Sequence, residues 1–256
     1  MPAKTDFNVA PYWDDFNIDN DFYRVLFRPG FAVQARELTT LQTILQNQIE
    51  QFGNHFFKEG TIVIPGSVGY DPEYYAVKIQ STYGADTVAD YLSSYNGSVI
   101  TGSTSGVTAE VIGYSVADST TGDPDTLFVK YVSTSTVDNA TVTFTDDELI
   151  SANKIINGIA AGTATAQLQA TLATFTGSSA SITEGIFFVR GFMCRTGSQT
   201  IVLDKYNNTP SYRVGFTIVE SLITPEEDPL LLDNAAGSSN YAAKGALRFK
   251  ITLTIG

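Results

Sequence analysis

One segment of this chain has a pattern that only a helix satisfies. Over residues 33–56, VQARELTTLQTILQNQIEQFGNHF, the apolar residues Leu38, Leu41, Leu45, Ile49, Phe52 and Phe56 recur at spacings of three and four. Such spacing lines them up along one helical stripe and is incompatible with the two-residue alternation of a strand. A helix of about 20 residues is about 30 Å long. Gly53 weakens its end, and Gly60 is placed to stop it. Beside the stripe stand Gln34, Gln42, Gln46, Gln48 and Gln51 instead of the usual Glu and Lys. Glutamine is uncharged and both donates and accepts hydrogen bonds, so it can be covered by protein at lower cost than a charge. The pattern therefore predicts a helix with a second face against protein. The plainer alternative is a single amphipathic helix on a β-domain with its glutamines in water.

The rest of the chain reads as strands and turns. Residues 1–32 are an extended, irregular arm that mixes aromatics with acids and is closed by Pro29-Gly30. GTIVIPG (60–66) and YYAVKIQS (74–81) read as strands. From 93 to 183 the composition shifts to Ser, Thr, Gly and Ala, with an Asn96-Gly97 turn. Strands are expected there at 98–101, 107–116, 126–134 and 140–144, with a Thr145/Glu148 capping box for a short turn of helix. GIFFVRGFMCR, QTIVLDKY and YRVGFTIVES (184–221) read as a β-meander, and 246–255 as a last strand after a loop at 228–245. The expected fold is mainly β with one long N-terminal α-helix, and β-sandwich or barrel modules following the extended arm and helix. Its expected divisions are an arm at 1–32, the helix plus strands at 33–92, a β-module at 93–183 and a C-terminal β-domain at 184–256.

Composition excludes several functions. The net charge is −12 and no basic run exists, so no nucleic-acid partner is expected. No stretch approaches 18 uninterrupted apolar residues, and the start lacks a charged segment followed by an apolar one, so neither a membrane span nor a signal peptide is expected. Charged residues make up only 16%, against roughly 25% in an average soluble domain, which suits a surface much covered by other subunits. Cys194 is the single cysteine. Without an intrachain disulfide, stability must come from packing or oligomerisation, and the chain suits a reducing cytoplasm.

Catalytic constellations are nearly absent, and no enzyme activity or cofactor is expected. His55 is the only histidine and lies on the helix between Phe52 and Phe56, so it reads as a packed or interface residue. Cys194 sits in an apolar strand and reads as a small buried hydrophobe. No phosphate-binding glycine loop, zinc-protease helix or nucleophile elbow occurs. The one metal candidate is Asp15, Asn17, Asp19 and Asp21, oxygen ligands at alternate positions as in a calcium loop. It lacks the glycine at the sixth position, where Asn20 stands, and the glutamate at the twelfth, where Leu26 stands. Asp14, Asp15, Asp146, Asp147, Glu226 and Glu227 supply no selectable pair for glycan cleavage, and Glu226-Glu227 after Thr224-Pro225 reads as a first helical turn.

Residues 11–66, PYWDDFNIDNDFYRVLFRPGFAVQARELTTLQTILQNQIEQFGNHFFKEGTIVIPG, closely resemble the N-terminal segment of a family of phage virion proteins. That family occurs in contractile-tailed phages, notably those infecting cyanobacteria. It is catalogued as a domain of unknown function in tail-fibre or baseplate-associated proteins. A second stretch, DPLLLDNAAGSSNYAAKGALRFKI (228–251), is similar to a motif shared by such proteins, with Lys244 where proline is usual. The two stretches span about a third of the 256 residues.

The resemblance implies a non-catalytic virion structural protein, the proximal part of a tail fibre docking on the baseplate, assembled in the host cytoplasm. A baseplate wedge subunit and a glycan-binding tailspike module are the alternatives. The chain ends in a strand pattern, which fits either the anchoring part of a longer fibre or a short version of it. The resemblance also implies a trimeric or otherwise oligomeric assembly, a homotrimer for the tail fibre and a dimer for the wedge-subunit alternative. Three copies would pack Leu38, Leu41, Leu45, Ile49, Phe52 and Phe56 around an axis, with Gln48 near a core position fixing the register. The arm would wrap a neighbouring subunit or dock on the tail through Tyr12, Trp13, Phe16, Phe22 and Tyr23.

Overall fold

The computed structural model describes residues 4–256. The protein is mainly β with a single α-helix, α1 (Ala35–Phe56). Its strands in chain order are β1 (Ile62–Ile64), β2 (Val68–Lys78), β3 (Thr82–Tyr83), β4 (Asp86–Thr87), β5 (Val99–Gly102), β6 (Thr108–Ser115), β7 (Thr126–Ser133), β8 (Leu149–Ala152), β9 (Ala164–Gln167), β10 (Thr174–Ile182), β11 (Gly185–Val189), β12 (Phe192–Thr196), β13 (Gln199–Asp204), β14 (Phe216–Ile223) and β15 (Arg248–Ile255). They divide between two compact units. One comprises the described part of 1–68 with 182–199 and 214–256, and the other comprises 69–181 with 200–213. The expected four consecutive blocks are thereby redrawn. The β-module begins at 69, well before 93, and the arm, helix and C-terminal strands belong to one unit.

The barrel unit is built from alternation. Strand order β13-β10-β2-β7-β6-β5-β8-β9 runs antiparallel through one sheet. Its last strand returns to its third, through a bridge between Ile79 and Leu168 and hydrogen bonds from Gln80 N to Gln167 O (2.9 Å) and Gln169 N to Lys78 O (3.1 Å). Six strands, β2-β7-β6-β5-β8-β9, thus close into a barrel, which leaves no edge among them. Inward side chains Val77, Ile79, Ile100, Val111, Leu127 and Ile150 are buried. Two 3-10 turns at Val88–Asp90 and Leu92–Tyr95 add Val88, Leu92 and Tyr95 to the same core. There Tyr95 Oη donates to Thr165 Oγ1 (2.6 Å) and Tyr91 Oη to Thr165 O (2.8 Å). Both of these tyrosine hydroxyls therefore have a partner. Outside the barrel, Phe175 and Tyr206 flank the Lys78 ammonium, which lies 4.1 Å from each ring centroid.

Residues 140–144 were expected as a strand and are irregular. The Asp138 carboxylate accepts from Ala140 N, Thr141 N and Thr141 Oγ1, and Ser135 N donates to Thr141 O. Those bonds commit the segment to a turn before a ladder can form, and Phe144 is delivered into the core instead. The expected helical turn after Thr145 is likewise a plain turn, although Glu148 does accept from Thr145 N (2.8 Å). Residues 225–227 also form a turn where a helical start was expected.

The helical unit has three layers. β1-β11-β12 form an antiparallel sheet, with β14 and β15 as a separate two-stranded ladder in register from Phe216↔Ile255 to Ile223↔Arg248. GIFFVRGFMCR is a hairpin and not one strand: Arg190 (φ 50°) and Gly191 (φ 79°) make a two-residue turn between β11 and β12. The meander expected over 184–221 does not form, because β13 leaves for the barrel sheet and β14 pairs with β15. Phe187, Val189, Cys194 and Leu253 share one core with Phe216, Ile218 and Ile251. Cys194 is buried, as expected, and burial pushes its thiol pKa up. On the other face of β11, Phe188 is fully buried against α1.

The approach of α1 to Phe188 depends on Gly53. A Cβ at that position would lie 2.4 Å from Phe188 Cε2 and 2.7 Å from Cζ. In a free helix Gly→Ala gains about 1 kcal/mol. Here Gly53→Ala is expected to cost about 1–3 kcal/mol through overpacking. Urea denaturation should show that loss, and Phe188→Leu in the same chain should restore part of it.

Candidate assembly surface

α1 begins at Gln34, whose N–H is accepted by the Glu37 carboxylate (2.9 Å). From there it presents three faces. Gly53 and Gln46 meet the strands, Gly53 on Phe188 and Gln46 Nε2 donating to Gly191 O (2.8 Å). A second face, around Ile44, meets the arm. Thr43 Oγ1 donates to the buried Asp14 carboxylate, and Thr40 Oγ1 to Asp15 Oδ1 (3.1 Å). Ile44 is 3% exposed.

The third face has no partner among the described residues. At about 100° per residue, Leu38, Leu45, Ile49, Phe52 and Phe56 fall within about 60° of one another. They are between 48% and 67% exposed. Phe52 and Phe56 pack on each other at 4.9 Å, and His55, also exposed, sits edge-on to Phe56 at 5.3 Å. A helix stripe of this size left in water is unusual for a monomer.

Two residues of the expected set stand elsewhere. Leu41 is half-buried at the margin of the stripe. Gln48 lies about 70° from the stripe's centre and lines a groove with Phe16, Ile18, Phe22, Tyr23 and Ile44. Gln42, about 50° from that centre and one heptad before Ile49, is the glutamine nearer the stripe. In that register Ala35, Gln42, Ile49 and Phe56 take the a positions and Leu38, Leu45 and Phe52 the d positions. The flanking e and g positions are Thr39, Gln46, Gly53, Leu41, Gln48 and His55. None of these positions carries Asp, Glu, Lys or Arg. The signal was legible by counting sevens back from Ile49.

The arm divides in two. Its first part is fastened to its own chain. Lys4 N (2.9 Å), Thr5 N (2.8 Å) and Thr5 Oγ1 (2.6 Å) donate to the Glu220 carboxylate, which also pairs with Arg190. Phe7 stands edge-on to Phe249 at 5.4 Å and to Tyr12 at 5.9 Å. Of the expected anchors, Tyr12 and Phe16 are half-buried, while Trp13, Phe22 and Tyr23 are exposed. The calcium candidates do not converge: Asp15 serves Thr40 and Arg36, Asn17 Oδ1 accepts from Asp19 N, and Asp21 accepts from Tyr23 Oη. Among the described residues no group of three or more His, Cys, Asp and Glu is placed to hold a metal ion, and no helix is long and apolar enough to cross a membrane.

Burial opposes ionisation of Glu220, but Thr5 Oγ1, Lys4 N, Arg190 and Thr5 N outweigh it and hold the carboxyl down at about 2, from an ordinary 4.5. A carboxyl depressed in the fold stabilises it above the ordinary value and loses that contribution as pH falls through the depressed one. The wild type is therefore expected to lose stability between about pH 4.5 and pH 2 more steeply than Glu220→Gln. Urea midpoints measured across that range should converge at the acid end.

These features define a mainly β protein with one helix, whose apolar stripe faces outward together with the exposed Trp13, Phe22 and Tyr23 of the arm. The chain belongs to the family described as Domain of unknown function (DUF4815), whose model matches residues 10–89 and 159–256. The unmatched residues 90–158 carry β5, β6, β7 and β8 of the barrel. No curated protein and no solved structure matches the chain.

Proposed function

We propose that this chain is a non-catalytic virion structural protein, the proximal part of a phage tail fibre that docks on the baseplate. In this reading it assembles as a homotrimer through α1. The resemblance of residues 11–66 to phage tail-associated proteins supplies the biological setting. The observation that carries the reading is the unpartnered a/d seam of Leu38, Leu45, Ile49, Phe52 and Phe56. Among the described residues neither the strands nor the arm covers it.

A seam with no charge at a, d, e or g sets no like charges against each other when identical helices meet. Glutamine at a single a position, Gln42, supplies a polar layer of the kind that fixes register. Helical docking in parallel brings the arms of all copies to one end, where the exposed Trp13, Phe22 and Tyr23 are available as anchors. Peptide mass analysis of purified virions that encode this chain tests the setting. Recovery with the tail fraction supports it, and absence from intact particles contradicts it.

A further inference from the structure

The second half of the arm carries an unused strand. Residues Phe22–Phe27, FYRVLF, combine aromatic, β-branched and leucine side chains of the kind that favour strands. They run outside any helix or strand, and none of their backbone N–H or C=O groups bonds to a described residue. Phe22, Tyr23, Leu26 and Phe27 are exposed. The contrast with Lys4 and Thr5, fastened to Glu220, is sharp.

The same unit carries an unused edge. β14 pairs with β15 through all eight residues, and its other side has no strand among the described residues. Half of its N–H and C=O groups therefore point outward from the ladder. Natural edges are blunted by Lys, Pro or bulges. FTIVESLI has no Lys or Pro, and its register is continuous. Its one charge, Glu220, is already taken by Arg190 and Thr5. Phe216 and Ile218 lie on the core side of β14, and Tyr23, Val25 and Phe27 alternate in the same way to extend that apolar face.

We infer that Phe22–Phe27 of one copy adds as a strand to the free edge of β14 in a second copy. Within its own chain the segment runs from the Asp14–Thr43 tie to the start of α1, and Phe22 and Tyr23 line the groove beside α1. Phe188 faces α1 whereas Phe187 and Val189 face the core that β14 shares, on opposite sides of β11, which is the ground for assigning the edge to a neighbour. Backbone pairing supplies the affinity and the alternating side chains the register. This inference rests on the self-assembly proposed above.

Amide hydrogen exchange read by mass spectrometry on the full chain, with native mass spectrometry in parallel, tests it. In the assembled protein, amides of residues 22–28 and of β14 should be slowed about tenfold or more relative to the dissociated chain. Val25→Pro removes one N–H from a segment whose backbone bonds to no described residue of its own chain, so the fold should persist while protection at both places is lost. An oligomer whose 22–28 amides exchange freely overturns strand addition and leaves self-assembly standing. Loss of protection in the arm alone, with β14 unaffected by Val25→Pro, overturns the choice of edge. A monomer in which residues 22–28 and the outward amides of β14 exchange freely overturns strand addition and self-assembly together.

Discussion

Leu45→Glu combined with Phe52→Glu should convert the assembled protein to a monomer without unfolding it. Both side chains are more than half exposed in the single chain, so replacing them removes little from its own core. In a helical bundle each would bury about 1.5–3 kcal/mol of apolar surface, and the carboxylates that replace them would have to be desolvated against one another. Over three copies the loss is roughly 9 kcal/mol or more, which moves the association beyond any practical concentration. Light scattering should report a single chain, and circular dichroism an unchanged spectrum. Asn54→Glu, exposed on the same helix but away from the stripe, should leave the assembly intact. If the double variant remains as large as the wild type, the contact lies elsewhere.

Glu148→Ala should produce the largest loss of stability in the barrel unit. Glu148 is 3% exposed. Its Oε2 accepts from Thr104 N (3.0 Å) and Ser105 N (2.9 Å), and its Oε1 from Ser105 Oγ (3.0 Å) and Thr145 N (2.8 Å). The carboxylate thereby ties the turn between β5 and β6 to the start of β8. Removing it strands three backbone N–H groups, each worth about 1–3 kcal/mol if no water replaces the acceptor. We expect a total of about 3–5 kcal/mol. Glu148→Gln keeps the shape and one oxygen, loses half the acceptance, and should cost roughly half as much. Gly102 fits the same arrangement, since a Cβ there would stand 2.5 Å from Glu148 Oε2. Urea unfolding of the three chains gives the comparison directly.

Several of these features were legible in the sequence for identifiable physical reasons. The helical stripe was visible because i, i+3 and i+4 spacing is a local property, and the strands at 99–102, 108–115 and 126–133 because alternation is local as well. What the stripe does not encode is which side of it the rest of the chain covers. That depends on Gly53 meeting Phe188, 135 positions away in the sequence, and on Asp14 reaching Thr43.

Gln48 flanks the seam at a g position while Gln42 takes an a position, a distinction that spacing carries only once the register is anchored on Ile49. The Arg190-Gly191 turn leaves little trace in the sequence because arginine seldom takes a positive φ. The division into blocks failed for a different reason. QTIVLDKY leaves one unit for the other, and nothing in its composition differs from the strands on either side. Glu148 reads from the sequence as a capping residue, but its role across 43 and 44 positions, to Ser105 and Thr104, is a tertiary fact.

Native mass spectrometry of the wild-type chain at about 10 µM, a concentration at which seam-driven assembly should be complete, is the most direct test of the central claim. Assembly through α1 predicts a species at three times the 27.6 kDa chain mass. A peak at one chain mass, unchanged on raising the concentration, would contradict it and leave the stripe of α1 as surface without a partner.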